Sequence, residues 1–82
     1  MCDSRSQVLK AFGRLIRQRR QALGISQEEL GYRAGLDRTY VSGLERGVRN
    51  PSLTALVSLA RGFSISVSDL AAHLEQETKN AD

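Results

Sequence analysis

Five side chains that can donate hydrogen bonds lie within nine residues near the middle of this 82-residue chain. They are Arg38, Thr39, Tyr40, Ser42 and Arg46. Helical spacing places them on the outer face of one short helix, because Val41 and Leu44 supply an apolar stripe for the inner face. A helix with one buried stripe and an outward row of donors suits the major groove of DNA.

A second short helix is predicted just before this one, across a break that contains glycine. Ser26 is a good N-cap with Glu29 three residues later, which is the pattern of a capping box, and Asp37 caps the next helix. Gly35 suits the corner between the helices, and Gly47 suits a left-handed residue after the second. The pattern predicts a helix-turn-helix.

Three further helices complete the predicted fold. Apolar spacing predicts the first over about Gln7–Leu23, with Ser6 as its cap. The fourth is predicted between its cap Ser52 and Gly62, and the fifth after its cap Ser66. The expected architecture is one all-α domain over residues 1–82, with residues 1–5 and 77–82 loose. A chain this short buries only about 60% of its surface, so dimerisation would help its stability.

Charge is distributed unevenly along the chain. Residues 1–61 hold 11 Lys and Arg against 5 Asp and Glu, a net +6, whereas residues 62–82 hold 1 against 4, a net −3. A basic front and an acidic tail indicate one surface for a polyanion and a separate face for something else. The alternative is a solvated surface whose asymmetry is accidental.

Several functional classes lack the residues they need. Cys2 is the single cysteine and His73 the single histidine, so neither an intrachain disulfide nor a metal site is expected, and no cofactor is implied. Ser42 and Ser58 have no nearby histidine, and no glycine-rich phosphate loop follows a strand, so we do not expect an enzyme. Without a long apolar run or a signal peptide, the sequence predicts a cytoplasmic protein with no membrane partner.

The stretch SQEELGYRAGLDRTYVSGLERG, from Ser26 to Gly47, resembles the Cro and phage-repressor-like helix-turn-helix family of bacterial and phage regulators. The resemblance continues through Val48–Leu70 and covers most of residues 13–74. The run LDRTYVSGLERGVRN is also similar to that of the small controller proteins of restriction-modification systems. The resemblance implies a compact five-helix domain in which helices 2 and 3 form the helix-turn-helix.

The function that the resemblance implies is sequence-specific regulation of transcription, for instance as a repressor. Its partners would be double-stranded DNA with a (pseudo)palindromic operator and a second copy of the chain, with RNA polymerase contact left open and no small-molecule ligand expected. One alternative is an antitoxin-type module that binds both DNA and a toxin protein. Another is a helical domain that binds only proteins and shows no sequence-dependent DNA binding.

In this fold the recognition helix points its N-terminal residues at base edges, which predicts base contacts by Arg38, Thr39 and Ser42. Arg38 can offer two donors to guanine O6 and N7, where the family often carries a glutamine. Gly43 removes a side chain that could read bases. Phosphate contacts are predicted for Gln27, Tyr40, Arg46, Arg49 and Asn50. Simple exposure is the alternative for Arg38.

Two structural roles are also expected. The resemblance implies that Arg20 pairs with Glu45 and so ties the recognition helix to helix 1. The apolar stripe of helix 5 predicts a dimer interface, and the residues assigned to it are Val67, Ala71, Leu74 and Phe63. The alternative is that this stripe faces the core of its own monomer.

Overall fold

The structure is a computed structural model that describes residues 4–80, and these residues form five helices and no strand. The helices are α1 (Ser4–Ala22), α2 (Gln27–Ala34), α3 (Arg38–Glu45), α4 (Leu53–Gly62) and α5 (Val67–Asn80). The predicted five-helix all-α fold is confirmed.

Short side chains at the predicted caps begin four of the helices. The Ser26 hydroxyl accepts from the Glu29 backbone N–H at 3.0 Å, and the Asp37 carboxylate accepts from the Thr39 N–H at 2.8 Å. Ser52 and Ser66 cap α4 and α5 in the same way. These predictions are confirmed, because each cap satisfies an amide that the first helical turn leaves without a partner.

The capping box at Ser26 is only half formed. The Glu29 carboxylate, which a full box would turn back to the Ser26 N–H, instead accepts from Arg33 Nε at 2.9 Å. Gly47 has a φ value of 75°, so it takes the left-handed conformation that was predicted for it. Gly35, at the predicted corner, is also left-handed, with a φ value of 68°.

Both ends of the described chain are more helical than expected. α1 begins at Ser4, so Ser6 lies inside the helix and is not its cap, and α5 continues to Asn80. The last turns of α5 lie against α1, where Arg14 Nε is 3.8 Å from a Glu77 carboxylate oxygen. Residues 1–3 and 81–82, and Cys2 with them, lie outside the described residues.

The core lies between helices that contact one another in a fixed pattern. α1 packs on α3 and α5, α2 packs on α3 and α4, and α4 packs on α5. The largest fully buried side chains are Ile16, Leu30, Val41, Leu44 and Leu59, from the first four helices. Leu70 adds α5 to the same cluster. The recognition helix α3 is therefore held by α1 and α2 together.

No single helix within residues 4–80 is long and apolar enough to cross a membrane. By length and composition α4 and α5 would pass only as a pair, and the chain bends by 102° between them.

Candidate DNA interface

The recognition helix α3 sits close to α2 because the turn between them is tight. A Cβ on Gly31 would stand 2.5 Å from the Leu36 carbonyl oxygen, so no side chain fits there without moving the turn. Leu36 N–H donates to the Gly31 carbonyl at 2.8 Å. Val41 and Leu44 are fully buried on the inner side of α3, which fixes the opposite face outward.

α1 approaches the other end of α3 equally closely. A Cβ on Gly13 would lie 2.5 Å from the Glu45 carbonyl oxygen and 2.6 Å from that of Leu44. Because both atoms belong to backbone, neither can give way as a flexible side chain would. Gly13 therefore allows α1 to pack directly against the C-terminal turn of α3.

A charged network fixes this C-terminal end of α3. Arg20 Nε donates to Glu45 Oε2 at 2.7 Å and Arg20 Nη2 to Oε1 at 3.1 Å, with the two side chains 13% and 4% exposed. Arg20 Nη1 also donates to the Ile25 carbonyl at 2.8 Å, and Gln27 Nε2 donates to Glu45 Oε1 at 3.1 Å. One carboxylate thus joins α1, α2 and α3.

The hydrogen bond from Arg20 to Glu45 raises the pKa of the Arg20 guanidinium, and the charge of Glu45 adds to this, although burial acts in the opposite sense. A raised pKa keeps Arg20 charged up to strongly alkaline pH. The Arg20 guanidinium therefore stays positively charged throughout the pH range in which proteins normally work.

The N-terminal end of α3 is open to solvent. Arg38 and Thr39 are exposed, and Ser42, one turn further, is half-buried. The Thr39 hydroxyl donates to the Asp37 carboxylate at 2.6 Å, so its proton is already used, and its methyl group and the lone pairs of its oxygen are left for other contacts. This hydroxyl is the main cause that lowers the pKa of Asp37, with the Thr39 N–H second.

The side chains predicted for phosphate contact differ in exposure and in whether they already have a hydrogen-bond partner. Arg46 and Asn50 are exposed, whereas Gln27 is half-buried and already donates to Glu45. Gln27 still heads α2, where backbone amides of the first turn favour an anion.

Tyr40 and Arg49 form one unit. The Arg49 guanidinium carbon lies 5.2 Å from the centre of the Tyr40 ring, and the Tyr40 hydroxyl accepts from the Ser52 N–H at 3.4 Å. The segment that follows α3 therefore lies back along the helix and contacts Tyr40 in its first turn.

The residues predicted for a dimer interface divide into two groups. Phe63 is 6% exposed and belongs to the monomer core, so it offers little surface to a partner. Val67 is 39% exposed and Ala71 is exposed, whereas Leu74 packs partly against the core. A groove of about 570 Å³, lined by Val8 of α1 and by Ala71, Leu74 and neighbours on α5, opens on this face.

A sequence model of the helix-turn-helix family matches residues 16–70, which is more than half of the chain. This chain belongs to the helix-turn-helix family. The matched range runs from the buried Ile16 of α1 to the buried Leu70 of α5, so it includes the whole α2–α3 unit and most of the core cluster that holds it.

Several similar proteins are described as control or controller proteins. The control protein C.MunI of a Mycoplasma species is 39% identical over 59 residues, which are 72% of this chain and 80% of the relative. The restriction-modification controller C.AhdI of Aeromonas hydrophila is 47% identical in structure comparison, with a TM-score of 0.73 over 76% of this chain and 94% of that one.

A third relative was solved with DNA. The restriction-modification controller C.Esp1396I, as a tetramer in complex with its natural 35-base-pair operator, matches 88% of this chain and 95% of its own, at 33% identity and a TM-score of 0.80. The chain is a helix-turn-helix transcriptional regulator that resembles restriction-modification controllers.

Two contacts at this interface were not expected from the sequence. Gly43 was interpreted as a lost reading side chain, but its carbonyl accepts from the Val48 N–H at 3.1 Å and its open side lies under Arg49. The contact of Gly13 with α3 has no signal in the sequence, because a glycine within a helical pattern does not show which element packs against it. Within residues 4–80, no group of three or more His, Cys, Asp or Glu side chains could hold a metal.

Proposed function

We propose that this chain binds double-stranded DNA in a sequence-specific manner as a homodimer, on a (pseudo)palindromic operator that controls restriction-modification genes. One observation carries the proposal. α3 is fixed at its C-terminal end by the Arg20–Glu45 pair, while Arg38 and Thr39 at its N-terminal end stand exposed. This is the arrangement in which a recognition helix presents its first residues to base edges.

Each end of the interface has a separate role in this proposal. Arg38 reads guanine through two parallel N–H donors, Thr39 offers its methyl group to thymine, and Ser42 lies one turn behind. Arg46, Asn50 and the first turn of α2 at Gln27 contact phosphates and so set the register.

Dimerisation follows from the size of this reading surface. An eight-residue helix contacts few base pairs, and two copies related by a twofold axis can read half-sites about 34 Å apart. The exposed apolar side chains Val67 and Ala71 lie on α5, in the acidic part of the sequence, and α5 makes no extensive contact with α3. C.Esp1396I, which binds its operator as a tetramer, supports an oligomeric form.

The test of DNA binding is the selection of bound duplexes from a random pool, followed by gel shift. We expect enrichment of one sequence with twofold symmetry and half-sites about ten base pairs apart, bound at least about 10³-fold more tightly than random duplex. A pool that shows no enrichment would refute the proposal. A stoichiometric protein partner retained through purification would favour the antitoxin alternative.

The dimer is tested by sedimentation at micromolar concentration. The wild type should sediment as a dimer, and Val67→Asp and Leu74→Asp as monomers with weakened operator binding, because an unpaired carboxylate is costly in an interface. Two sites are needed because Leu74 also contacts its own core. Leu23→Asp, which changes a half-exposed leucine directly after the C-terminus of α1, is the control and should stay dimeric. If Val67→Asp and Leu74→Asp both stay dimeric, the dimer interface lies elsewhere on the chain.

A further inference from the structure

We propose that Gly43 is a specificity-determining position that acts through Arg49: because it has no side chain, it seats the Arg49 stem on α3 and holds the guanidinium beside the DNA-reading face. The inference deepens the proposed function and rests on it, because Arg49 can contact bases only if α3 binds in a groove of DNA. Gly43 is a positioning residue here, and Arg49 makes the contact.

The first argument is the fit between Gly43 and Arg49. A Cβ on Gly43 would lie 2.8 Å from Arg49 Cγ and 3.4 Å from both Cδ and Nε. Favourable contacts between carbon atoms lie at about 3.5–4.0 Å. Any side chain at position 43 would therefore displace Arg49 from its place, and Gly43 is buried although it lies four residues after the exposed Thr39.

The second argument is that two further contacts support the position of Arg49 on Gly43, which we call the seat: one from the Tyr40 ring and one from the backbone of Val48. The Arg49 guanidinium carbon lies 5.2 Å from the centre of the Tyr40 ring, within the range of a cation–π contact. The Val48 N–H donates to the Gly43 carbonyl at 3.1 Å, which fixes the backbone next to Arg49. The Tyr40 hydroxyl accepts from the Ser52 N–H, so the ring is itself tied to the loop.

The third argument concerns what this placement does at DNA. Residues 39 and 43 are neighbours on one face of a helix. Arg49 therefore stands where a side chain of residue 43 would have stood, next to Thr39. Arginine offers a planar fork of donors that matches guanine, and a fork fixed in advance loses less freedom on binding. Arg49, from the loop after α3, thus supplies a side chain to the reading face at the position where Gly43 has none. We therefore expect Arg49 to contact bases as well as the phosphate backbone.

The experiment is a double-mutant cycle of Gly43→Ala and Arg49→Ala, measured on the selected operator and on random duplex. Gly43→Ala should fold, because alanine favours a helix over glycine and a flexible, exposed arginine can move aside. We expect it to lower operator affinity roughly tenfold and random-duplex affinity far less. In the Arg49→Ala background the same change should have no further effect. An equal loss in both backgrounds, or on both DNAs, would overturn the proposal.

A second measurement does not need DNA. In the free wild type, NMR should show the Arg49 δ protons shifted upfield by the Tyr40 ring, and both Gly43→Ala and Tyr40→Leu should remove the shift. An unshifted Arg49 in the wild type overturns the seat. If the wild type shows the shift but binds no duplex with sequence preference, the proposed function and the reading role both fail, while the seat stands.

Discussion

The two ends of the recognition helix α3 are built in opposite ways. At the C-terminal end, the Glu45 side chain is almost fully buried and accepts three hydrogen bonds, two from Arg20 and one from Gln27. At the N-terminal end, Arg38 is exposed and the Thr39 hydroxyl donates to the exposed cap Asp37. The comparison shows that α3 is fixed at its C-terminal end, opposite the end that we propose to read bases.

The C-terminal network sets orientation more than it adds stability. Burying a carboxylate and a guanidinium costs solvation, and a well-packed apolar pair of similar volume is often as stable. A bidentate Arg–carboxylate pair has, however, one favoured geometry. It therefore fixes the direction in which α3 leaves α1, and apolar contacts alone would fix it less strictly.

The largest effect that we expect is at this buried end. Glu45→Ala should lower the free energy of unfolding by about 3–5 kcal/mol, because it leaves Arg20 charged and unpaired in a mostly buried site. Urea denaturation followed by circular dichroism measures the loss. Glu28→Ala, on the exposed first turn of α2, is the matched control and should stay within about 0.5 kcal/mol. Similar losses for both glutamates would mean that the two ends of α3 do not differ as described.

The next effect concerns binding at the exposed end. Arg38→Ala should cost about 1–3 kcal/mol of operator affinity and relax the preference at one symmetric base position, with the free energy of unfolding unchanged. Gel shifts on the operator and on its single-base variants measure this. A loss of stability would indicate that Arg38 has a structural role.

Arg46 offers a contrast with Arg38 from just beyond the same helix. Arg46→Ala should weaken binding to operator and random duplex alike, and the slope of log affinity against log salt should become shallower by about one. Titrations at several salt concentrations measure the slope. If Arg38→Ala and Arg46→Ala behave alike in both assays, the assignment of base and phosphate contacts is wrong.

A smaller effect is expected at the cap of α3. Asp37→Ala should lower the melting temperature by less than Glu45→Ala does, because Asp37 is fully exposed and its bonds to Thr39 compete with water. Asp37→Asn keeps an acceptor that caps helices equally well and should retain most of the stability. If Asp37→Ala matched Glu45→Ala, the open end of α3 would contribute as much as the buried one.

The smallest effect is a dependence on pH. The two bonds from Thr39 lower the pKa of Asp37 in the folded chain. Their stabilisation is therefore complete above the ordinary aspartate pKa of about 3.9 and is lost as the pH falls through the lower value of the folded state. Thermal melts between pH 6 and pH 2 should show the wild type losing its advantage over Asp37→Asn only in the acidic part of that range. An advantage that persists at the lowest pH would exclude this cause.

Local signals in the sequence were sufficient for most of the fold. Ser26, Asp37, Ser52 and Ser66 each cap a helix through a bond to an amide two or three residues away, so the cause lies within one turn. The start of α1 and the end of α5 were harder to predict from the sequence, because these ends depend on how the two helices pack together.

The site was predictable only in part, for the same reason. The Arg20–Glu45 pair joins residues 25 apart in the chain, and only the family resemblance suggested it. Phe63 was assigned to the dimer interface, but it lies in the core. It is the C-cap residue of α4, outside the apolar stripe of α5, and helical spacing does not predict the direction of a side chain between two helices. The seat of Arg49 on Gly43 had no sequence signal, since it depends on the path of the loop.

The Arg20–Glu45 pair also affects how much active regulator a cell would hold. An isolated eight-residue helix is unstable in water, so α3 is ordered only while α1 and α2 hold it. Partial opening of the fold would release Glu45 and with it the direction of the recognition helix. Occupancy of an operator should then follow the population of fully folded chains. Destabilising substitutions far from DNA would have the same effect as a lower concentration of the regulator.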